Sequence, residues 1–160
     1  RKSNIISYGH DIESSWLIFE AASAIDDYIL KNEIEDFSIE LANSVINAID
    51  EYGGLIYEFN YENKNYDTDK HWWPQAEAMV GFLNAYEITD DESWLYRFTK
   101  LWDFISKYVI DRNFGEWYWK VDKNNKPYAE NKVDFWKCPY HNTRSCIESV
   151  QRLIKINKRL

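Results

Sequence analysis

An internal repeat with a period near 61 residues dominates the sequence. His10 and His71 are 61 positions apart, and so are Gly54 and Gly115. Each unit holds two stretches with apolar residues at helical spacing, followed by glycine and a short stretch in which apolar and polar residues alternate. One helix pair cannot bury its apolar face alone, so this repeat predicts stacked helix pairs in an α/α solenoid or toroid.

The first unit is predicted to hold two helices and a strand. The first helix should run from His10 to near Leu30, with apolar residues three, four and six positions apart: Ile12, Trp16, Phe19 and Ile25. The second helix should stop at the glycines 53–54, which suit a helix C-terminus. Its apolar residues are Phe37, Leu41, Val45 and Ile49. A short strand should follow, with alternate positions occupied by Leu55, Tyr57, Phe59 and Tyr61.

The second unit repeats this order. Pro74 suits the first turn of a helix whose apolar residues are Met79, Phe82, Leu83 and Tyr86. The acidic run 89–92 predicts the start of another helix, which continues to Val109. Gly115 then precedes a second alternating stretch, Trp117, Trp119 and Val121, with a turn at 123–125. A third unit is predicted to begin near His141, with an apolar face made of Ile147, Val150 and Ile154.

The repeat predicts an all-α fold of about five helices joined by short β-hairpin-like loops. With 160 residues and no glycine- or proline-rich linker, the chain should form one compact unit. In a toroid the first helices of the pairs lie inside, and their N-termini surround one mouth. Residues far apart in the sequence should therefore meet at that mouth.

Composition disfavours several classes of protein. A net charge of −8 argues against nucleic acid and against an anionic membrane surface, and is compatible with a neutral substrate such as a sugar. These 160 residues contain no run of eighteen apolar residues and no signal-peptide pattern, so we expect no membrane partner. Cys138 and Cys146 form neither a disulfide framework nor a four-ligand zinc pattern, and we interpret them as free thiols in a reducing, cytoplasmic compartment.

Each of the three histidines stands at the start of a predicted first helix: His10, His71 and His141. They could be polar caps or surface groups, but three equivalent positions favour a shared function. Imidazole, with a pKa of about 6.5, takes or gives a proton near neutral pH, and a helix N-terminus favours its neutral form. Glu13 lies on the same helical face as His10 and could orient its ring, or could simply be an acidic residue of the first turn.

Eight tryptophans exceed what a core of this size needs, because each buried indole N–H requires a partner. Trp72, Trp73 and Trp136 lie next to the histidines in predicted loops or helix starts. Flat aromatic faces stack on sugar rings, so we expect Trp73 and Trp136 to bind a ligand. We assign three other tryptophans to the core, since they fall in apolar helical stripes: Trp16, Trp94 and Trp102.

Other constellations are weaker. His10 with Asp11 and Glu13, or His71 with Glu77, could bind a metal ion. No histidine pair has the i, i+4 spacing of a zinc helix, and we expect no metal. Two carboxylates could form a glycosidase pair, yet no particular pair is singled out. The sequence has neither a phosphate-binding loop nor a Gly-x-Ser-x-Gly motif.

Three segments resemble the N-acylglucosamine 2-epimerase superfamily, and within it the cellobiose 2-epimerases. They are Ser7-Tyr8-Gly9-His10-Asp11-Ile12-Glu13, His71-Trp72-Trp73-Pro74-Gln75-Ala76-Glu77 and Trp136-Lys137-Cys138-Pro139-Tyr140-His141-Asn142. Their order and spacing match the family, and the last segment favours the cellobiose branch.

The resemblance implies an (α/α)6 barrel in which residues 1–160 are the C-terminal portion of a single catalytic domain. It implies epimerisation without a cofactor at C2 of the reducing-end glucose of a β-1,4-linked disaccharide, through a cis-enediolate. His10 and His141 would be the acid/base pair, one for each face of C2, with Glu13 supporting His10. The residues expected to contact or surround the sugar are Trp73, Trp136, His71 and Trp72.

The sequence begins at Arg1 and lacks the N-terminal half of the family, so we expect the chain alone to be inactive or nearly so. A partial barrel would expose the flanks of its first and last helices, which we expect to bind the missing half or a second copy. Two other functions stay open. One is an aldose–ketose isomerase of the same superfamily, which returns the proton to C1, and the other is a non-catalytic carbohydrate-binding module.

Overall fold

The computed structural model describes residues 3–25 and 27–159. In these ranges the chain forms ten named elements, in the order β1 (Ile5–Ser7), α1 (Tyr8–Ser23), α2 (Tyr28–Ser44), β2 (Glu58–Asn60), β3 (Asn65–Asp67), β4 (Lys70–His71), α3 (Trp72–Thr89), α4 (Glu92–Phe104), β5 (Lys120–Val121) and α5 (Tyr140–Asn157). A 3₁₀ turn (Ile46–Ala48) follows α2, and a π-helical turn (Ile105–Val109) continues α4. The predicted all-α class, with about five helices, is confirmed. No helix in the described ranges is long and apolar enough to cross a bilayer.

Helix α3 lies at the centre of the arrangement. It packs against α1, α4 and α5, while α2 packs mainly against α1. Residues 74–86 are all buried, so α3 is enclosed on every side. Gly81 permits the close approach of α1, since a Cβ there would lie 2.6 Å from side-chain atoms of Ile12. The first helices of the three units, α1, α3 and α5, therefore lie next to one another, as the repeat predicts.

A cap at Asp27 separates α1 from α2, whereas the apolar spacing predicts one helix to near Leu30. The Asp27 carboxylate accepts hydrogen bonds from the backbone N–H groups of Ile29 and Leu30, each at 3.0 Å. A capping aspartate is worth about 1 kcal/mol to the helix that it starts. Ile25 and Phe37, which the pattern places on core faces, are exposed. The acidic run at 89–92 does start α4, and Asp91 caps it.

The apolar side predicted for α5 points away from the core of this chain. Ile147, Val150 and Ile154 are 53%, 56% and 52% exposed. The opposite side of α5 is buried and mostly polar: Asn142, Ser145, Ser149, Arg152 and Ile156. Arg152 accounts for much of this polarity, because it pairs with Glu20 of α1 and Glu87 of α3. The apolar side of α5 is thus left for another element to cover.

Two small antiparallel sheets precede the inner helices. In the first, β1, β2 and β3 pair with Ile5 opposite Asn60 and Phe59 opposite Tyr66. The strand predicted over 55–61 is thus shorter, and β1 is an addition that the pattern does not show. In the second sheet, His71 of β4 lies opposite Lys120 of β5. Because β1 and β4 run directly into helices, these sheets set where α1 and α3 begin.

Lys70 joins two turns from inside the molecule. Its side chain is 2% exposed, and Nζ lies 2.9 Å from a carboxylate oxygen of Asp50 and 2.9 Å from Oδ1 of Asn125. The same ammonium donates to the carbonyl oxygen of Asp122 at 3.3 Å. A buried ammonium is stable only with partners of this kind, so the two turns are fixed beside the start of α3.

Replacing Lys70 by methionine is expected to lower the free energy of unfolding by about 3 kcal/mol, because Asp50 loses a largely buried partner. Lys31→Met is the matched control. Lys31 pairs with Glu35 at 3.9 Å on the surface, and its loss should cost under about 0.5 kcal/mol. Urea unfolding followed by circular dichroism measures both changes, and equal unfolding free energies for the two variants would contradict this role of Lys70.

Candidate active site

The N-terminal ends of α1, α3 and α5 surround an open cavity of about 500 Å³. Its lining contains all seven residues singled out from the sequence: His10, Glu13, His71, Trp72, Trp73, Trp136 and His141. Tyr57 and Trp119 complete the lining. The helix starts therefore converge on one mouth, as the repeat predicts.

The indole of Trp73 contacts both histidines that are predicted to act as acid and base. Its ring centroid lies 4.8 Å from that of His10 and 5.8 Å from that of His141. Gly9 makes room for this indole, since a Cβ at Gly9 would lie 2.6 Å from Cζ3 of Trp73. Two imidazoles from opposite ends of the chain thus border one region of the cavity.

A buried carboxylate orients His141. Nδ1 of His141 lies 2.6 Å from Oε1 of Glu77, whose side chain is fully buried on α3. The second oxygen, Oε2, accepts the indole N–H of Trp16 at 3.1 Å. If Nδ1 donates its proton to Glu77, Nε2 is the nitrogen left for proton transfer in the cavity. Glu77 and His141 therefore form a carboxylate–imidazole pair of the kind that general bases use.

Arg144 supplies a positive charge beside the carboxylates of Glu13 and Glu77. Its Nη2 donates to Oε1 of Glu77 at 2.5 Å and to Oε1 of Glu13 at 3.1 Å. Glu13, Glu77 and His141 present possible metal-ligand atoms within 4.8 Å of one another. The guanidinium already bridges the two carboxylates in that group and offsets one of their two negative charges. The described residues thus fit an arginine-bridged acid pair better than a metal centre.

His10 has a different partner from the one that its sequence neighbourhood predicts. Its Nδ1 lies 2.7 Å from Oγ of Ser7, the last residue of β1. Glu13 lines the same cavity, but its carboxylate pairs with Arg144. The i, i+3 spacing places Glu13 on the face of His10, yet the arginine from α5 takes its carboxylate. The histidine of this cavity that does have a carboxylate partner is His141, which pairs with Glu77.

His71 is the third histidine of the cavity and is held in its neutral form. Its ring stacks on Tyr57 with centroids 3.9 Å apart and an interplanar angle of 15°. Burial, and secondarily the nearby ammonium of Lys120, lower the pKa of His71 to about 4. A histidine with this pKa carries no charge near neutral pH, so it suits a wall of the cavity better than proton transfer.

The depressed pKa of His71 makes stability depend on pH. The folded value, about 4, lies below the ordinary value of 6.5, so between these values the unfolded chain binds the extra proton. Stability should therefore fall by roughly 2–3 kcal/mol from this group as pH drops from 6.5 to 4, and stay unaffected by it above 6.5. The difference in unfolding free energy between the native chain and His71→Gln, followed over pH, isolates this contribution. A ring signal of His71 that titrates near pH 6.5 in NMR spectra would contradict it.

The tryptophans divide between wall and core. Trp136 is 78% exposed, whereas Trp72 is 4% exposed and adds only a small part of the wall. Of the three assigned to the core, Trp16 and Trp94 are buried as predicted, and Trp16 also bonds Glu77. The assignment of Trp102 is wrong, since it is 38% exposed on the outer side of α4.

Sequence reasoning missed the polar partners of the two catalytic candidates. The sequence presents Glu77 as a possible metal ligand with His71, and no motif in it marks Arg144 or Ser7 as a partner of a histidine. One signal was available: Arg144 follows His141 by three residues, which places both on one face of a helix. The pairing of Glu77 with His141 joins α3 to α5, and no local pattern predicts it.

Most of the chain matches a known protein family. Residues 2–145 match the family model described as N-acylglucosamine 2-epimerase (GlcNAc 2-epimerase). The chain belongs to this family. Cellobiose 2-epimerase from Dictyoglomus turgidum is 43% identical to this family member over 149 residues, which cover 92% of this chain and 38% of that enzyme. The predicted resemblance is therefore confirmed.

A solved structure and a second relative support the assignment of fold and family. The solved structure of cellobiose 2-epimerase from Spirochaeta thermophila superposes with a TM-score of 0.87 and 36% identity, over 95% of this chain and 38% of that one. D-mannose isomerase from Marinomonas mediterranea is 36% identical over 101 residues, or 63% of this chain and 26% of that enzyme. The fold of this epimerase-family chain is a partial (α/α)6 barrel. The chain spans about 38% of the length of the cellobiose 2-epimerases named here.

Proposed function

We propose that the chain forms part of the active site of a sugar 2-epimerase, in which His10 and His141 exchange a proton at C2 of the reducing-end glucose of a β-1,4-linked disaccharide. The observation that carries the proposal is the contact of both imidazoles with the indole of Trp73. An indole face of this kind can hold a sugar ring by its C–H groups. The two imidazoles are then candidates for opposite sides of one carbon.

The chemistry follows from the open-chain sugar. Once the ring opens, the C2 proton lies next to a carbonyl carbon and is acidic enough for imidazole to remove. Loss of that proton forms a cis-enediolate that is planar at C2, with one histidine beside each face. Return of a proton from the second histidine then gives the mannose epimer. Atoms and charge balance without an oxidant, so the step requires no redox cofactor.

Each histidine has a distinct supporting group. When Nε2 of His141 takes the proton, the resulting imidazolium is stabilised by the Glu77 carboxylate at Nδ1, 2.6 Å away. Arg144 pairs with the same Glu77 carboxylate and partly offsets its charge. The Oγ of Ser7 holds Nδ1 of His10 at 2.7 Å.

We further propose that the part of the enzyme outside this chain completes the barrel. Apolar side chains remain exposed along the outer side of α5 and around the turn between α1 and α2: Ile147, Val150, Ile154, Leu17, Ile25, Tyr28 and Ile29. Apolar surface of this kind on two flanks suits burial against neighbouring helices. Self-association of the chain through the same flanks is the alternative. Sedimentation of the chain, alone and mixed with the complementary part, separates the two.

The test uses a completed barrel, defined as a fusion of this chain with the part of the Dictyoglomus turgidum enzyme that it does not match. Incubated with cellobiose in D₂O, this fusion is expected to yield the mannose-type epimer with deuterium at C2. Absence of deuterium at C2 despite sugar binding would contradict the proposal and favour a carbohydrate-binding module. Release of free glucose would favour a glycosidase instead.

A second candidate is an aldose–ketose isomerase, which the similarity to D-mannose isomerase favours. The two reactions share the enediolate and differ in the carbon that receives the proton. Return to C2 gives an epimer, whereas return to C1 gives a ketose. Chromatography of the products from the completed barrel separates them, and a ketose as the main product would favour the isomerase.

A further inference from the structure

Two buried polar side chains and one partly exposed carboxylate form a cluster behind the cavity wall. Nζ of Lys137 donates to Oε1 of Glu116 at 2.9 Å, and Nδ2 of Asn142 donates to both carboxylate oxygens, at 3.0 and 3.2 Å. Lys137 is fully buried and Asn142 is 6% exposed. The ammonium also lies 5.4 Å from the ring centroid of Trp72. We call Glu116, Lys137 and Asn142 the Glu116 cluster.

The turn that carries Glu116 is itself held in place. Glu116 has a φ of +63°, which is uncommon for a residue with a side chain, and its carbonyl oxygen accepts the N–H of Asp111 at 2.9 Å. Lys132 binds this turn from the other side, through the carboxylate of Asp111 and the carbonyl oxygen of Gly115. Two lysines from one loop thus bind one turn. The loop is attached at these two points although much of it is exposed.

Lys137 closes the loop that displays Trp136. Its Nζ donates to the carbonyl oxygen of Lys132 at 2.7 Å, and its own carbonyl oxygen accepts the N–H of Asp134 at 2.8 Å. The backbone over 132–137 is therefore closed on itself by a single residue. The indole of Trp136 stays 78% exposed, but its backbone is fixed. A platform for a sugar ring requires such a fixed attachment.

Asn142 connects the same carboxylate to the helix that carries His141. Asn142 follows His141 directly in the first turn of α5, and its side-chain amide donates a hydrogen bond to the Glu116 carboxylate. Glu116 therefore has Lys137 and the loop of Trp136 on one side, and Asn142 and the start of α5 on the other. One carboxylate sets the distance between the exposed indole and the imidazole.

We propose that the Glu116 cluster is a positioning device, which holds Trp136 and His141 in register for one sugar substrate. This inference rests on the proposed function, since it assigns the two groups to binding and proton transfer on the same molecule. Glu116, Lys137 and Asn142 act through Trp136 and His141. The cluster therefore predicts separate kinetic effects for its two sides.

The test measures kcat and KM of the completed barrel with cellobiose. Lys137→Met is expected to lower kcat about 10- to 100-fold and to raise KM several-fold, because both groups lose their common anchor. Asn142→Ala should lower kcat with little change in KM, since it releases only the start of α5. Trp136→Ala should raise KM with a smaller effect on kcat. The control is Lys126→Met at an exposed lysine on a neighbouring turn, which should leave both constants unchanged.

Three outcomes would overturn the proposal. The first is a Lys137→Met variant whose kcat and KM both stay within about twofold of the parent values. Misplacement of a catalytic or binding group should change these constants far more. The second is an equal effect of Lys137→Met and Asn142→Ala on KM. The third is failure of these variants to fold, as judged by circular dichroism, which would make the cluster a stability element only.

A readout without turnover separates this proposal from the proposed function. In NMR spectra of the 160-residue chain, Lys137→Met should shift the ring signals of His141 and the indole N–H of Trp136, and Lys126→Met should shift neither. Unchanged signals in Lys137→Met would overturn the positioning role even if the completed barrel is active. Shifted signals with an inactive parent would contradict the proposed epimerase and keep the cluster as the anchor of both groups.

Discussion

Replacement of His141 by asparagine in the completed barrel is expected to lower kcat for epimerisation about 10²- to 10⁴-fold, the usual contribution of a general base. The reason is that Nε2 of His141 takes or gives the C2 proton, while Nδ1 is held by the buried carboxylate of Glu77. Asparagine keeps a polar group of similar reach but cannot exchange a proton near neutral pH. Steady-state kinetics with cellobiose measure the loss.

Two companion variants make this result specific. His141→Ala leaves space beside the open cavity, so free imidazole in the buffer should restore part of the activity. Glu77→Gln should lose less than His141→Asn, because the imidazole stays and loses only the carboxylate that orients it and stabilises its cation. A loss below about tenfold for His141→Asn, in a variant that unfolds at the same temperature as the parent, would show that another group moves the proton.

The chain by itself is expected to turn over cellobiose at least about 100-fold more slowly than the completed barrel, since oxyanion donors alone are worth this much. His10 is exposed and Trp136 is 78% exposed, so water reaches the proposed proton-transfer groups freely. Arg144, the cation beside these groups, is engaged by Glu13 and Glu77. Donors for the enediolate oxygen would have to come from the complementary part.

The comparison needs the same sugar, temperature and molar concentration for the chain, the complementary part, their mixture and the fusion. Recovery of activity on mixing would indicate that the exposed flanks of α1, α2 and α5 bind the complementary part without a covalent link. Comparable turnover by the isolated chain would contradict the incomplete site proposed here.

The repeat explains why so much of the cavity could be predicted. His10, His71 and His141 occupy equivalent positions, and a toroid brings the starts of its inner helices to one mouth. Trp73 and Trp136 follow from their places next to those histidines. None of this required contacts between distant residues to be known.

The remaining features depend on contacts that a local pattern does not encode. Glu77 reaches His141 only because α3 lies against α5, and Glu13 turns to Arg144 because a guanidinium is a stronger partner for a carboxylate than a nearby imidazole. The cap at Asp27 divides a stretch that apolar spacing reads as one helix. On α5 the apolar side lies where the spacing predicts it, but none of the described residues covers it.

The most direct test of two bases on opposite faces is to measure exchange of the C2 proton for deuterium in each epimer separately. His10→Asn and His141→Asn, each in the completed barrel, are incubated in D₂O with the glucose-type or the mannose-type disaccharide. Each variant should exchange deuterium into only one of the two sugars, and the two variants should choose opposite sugars, because each retains the base on one face. Exchange into the same sugar by both variants, or into both sugars by either one, would contradict a site with one histidine on each side of the carbon.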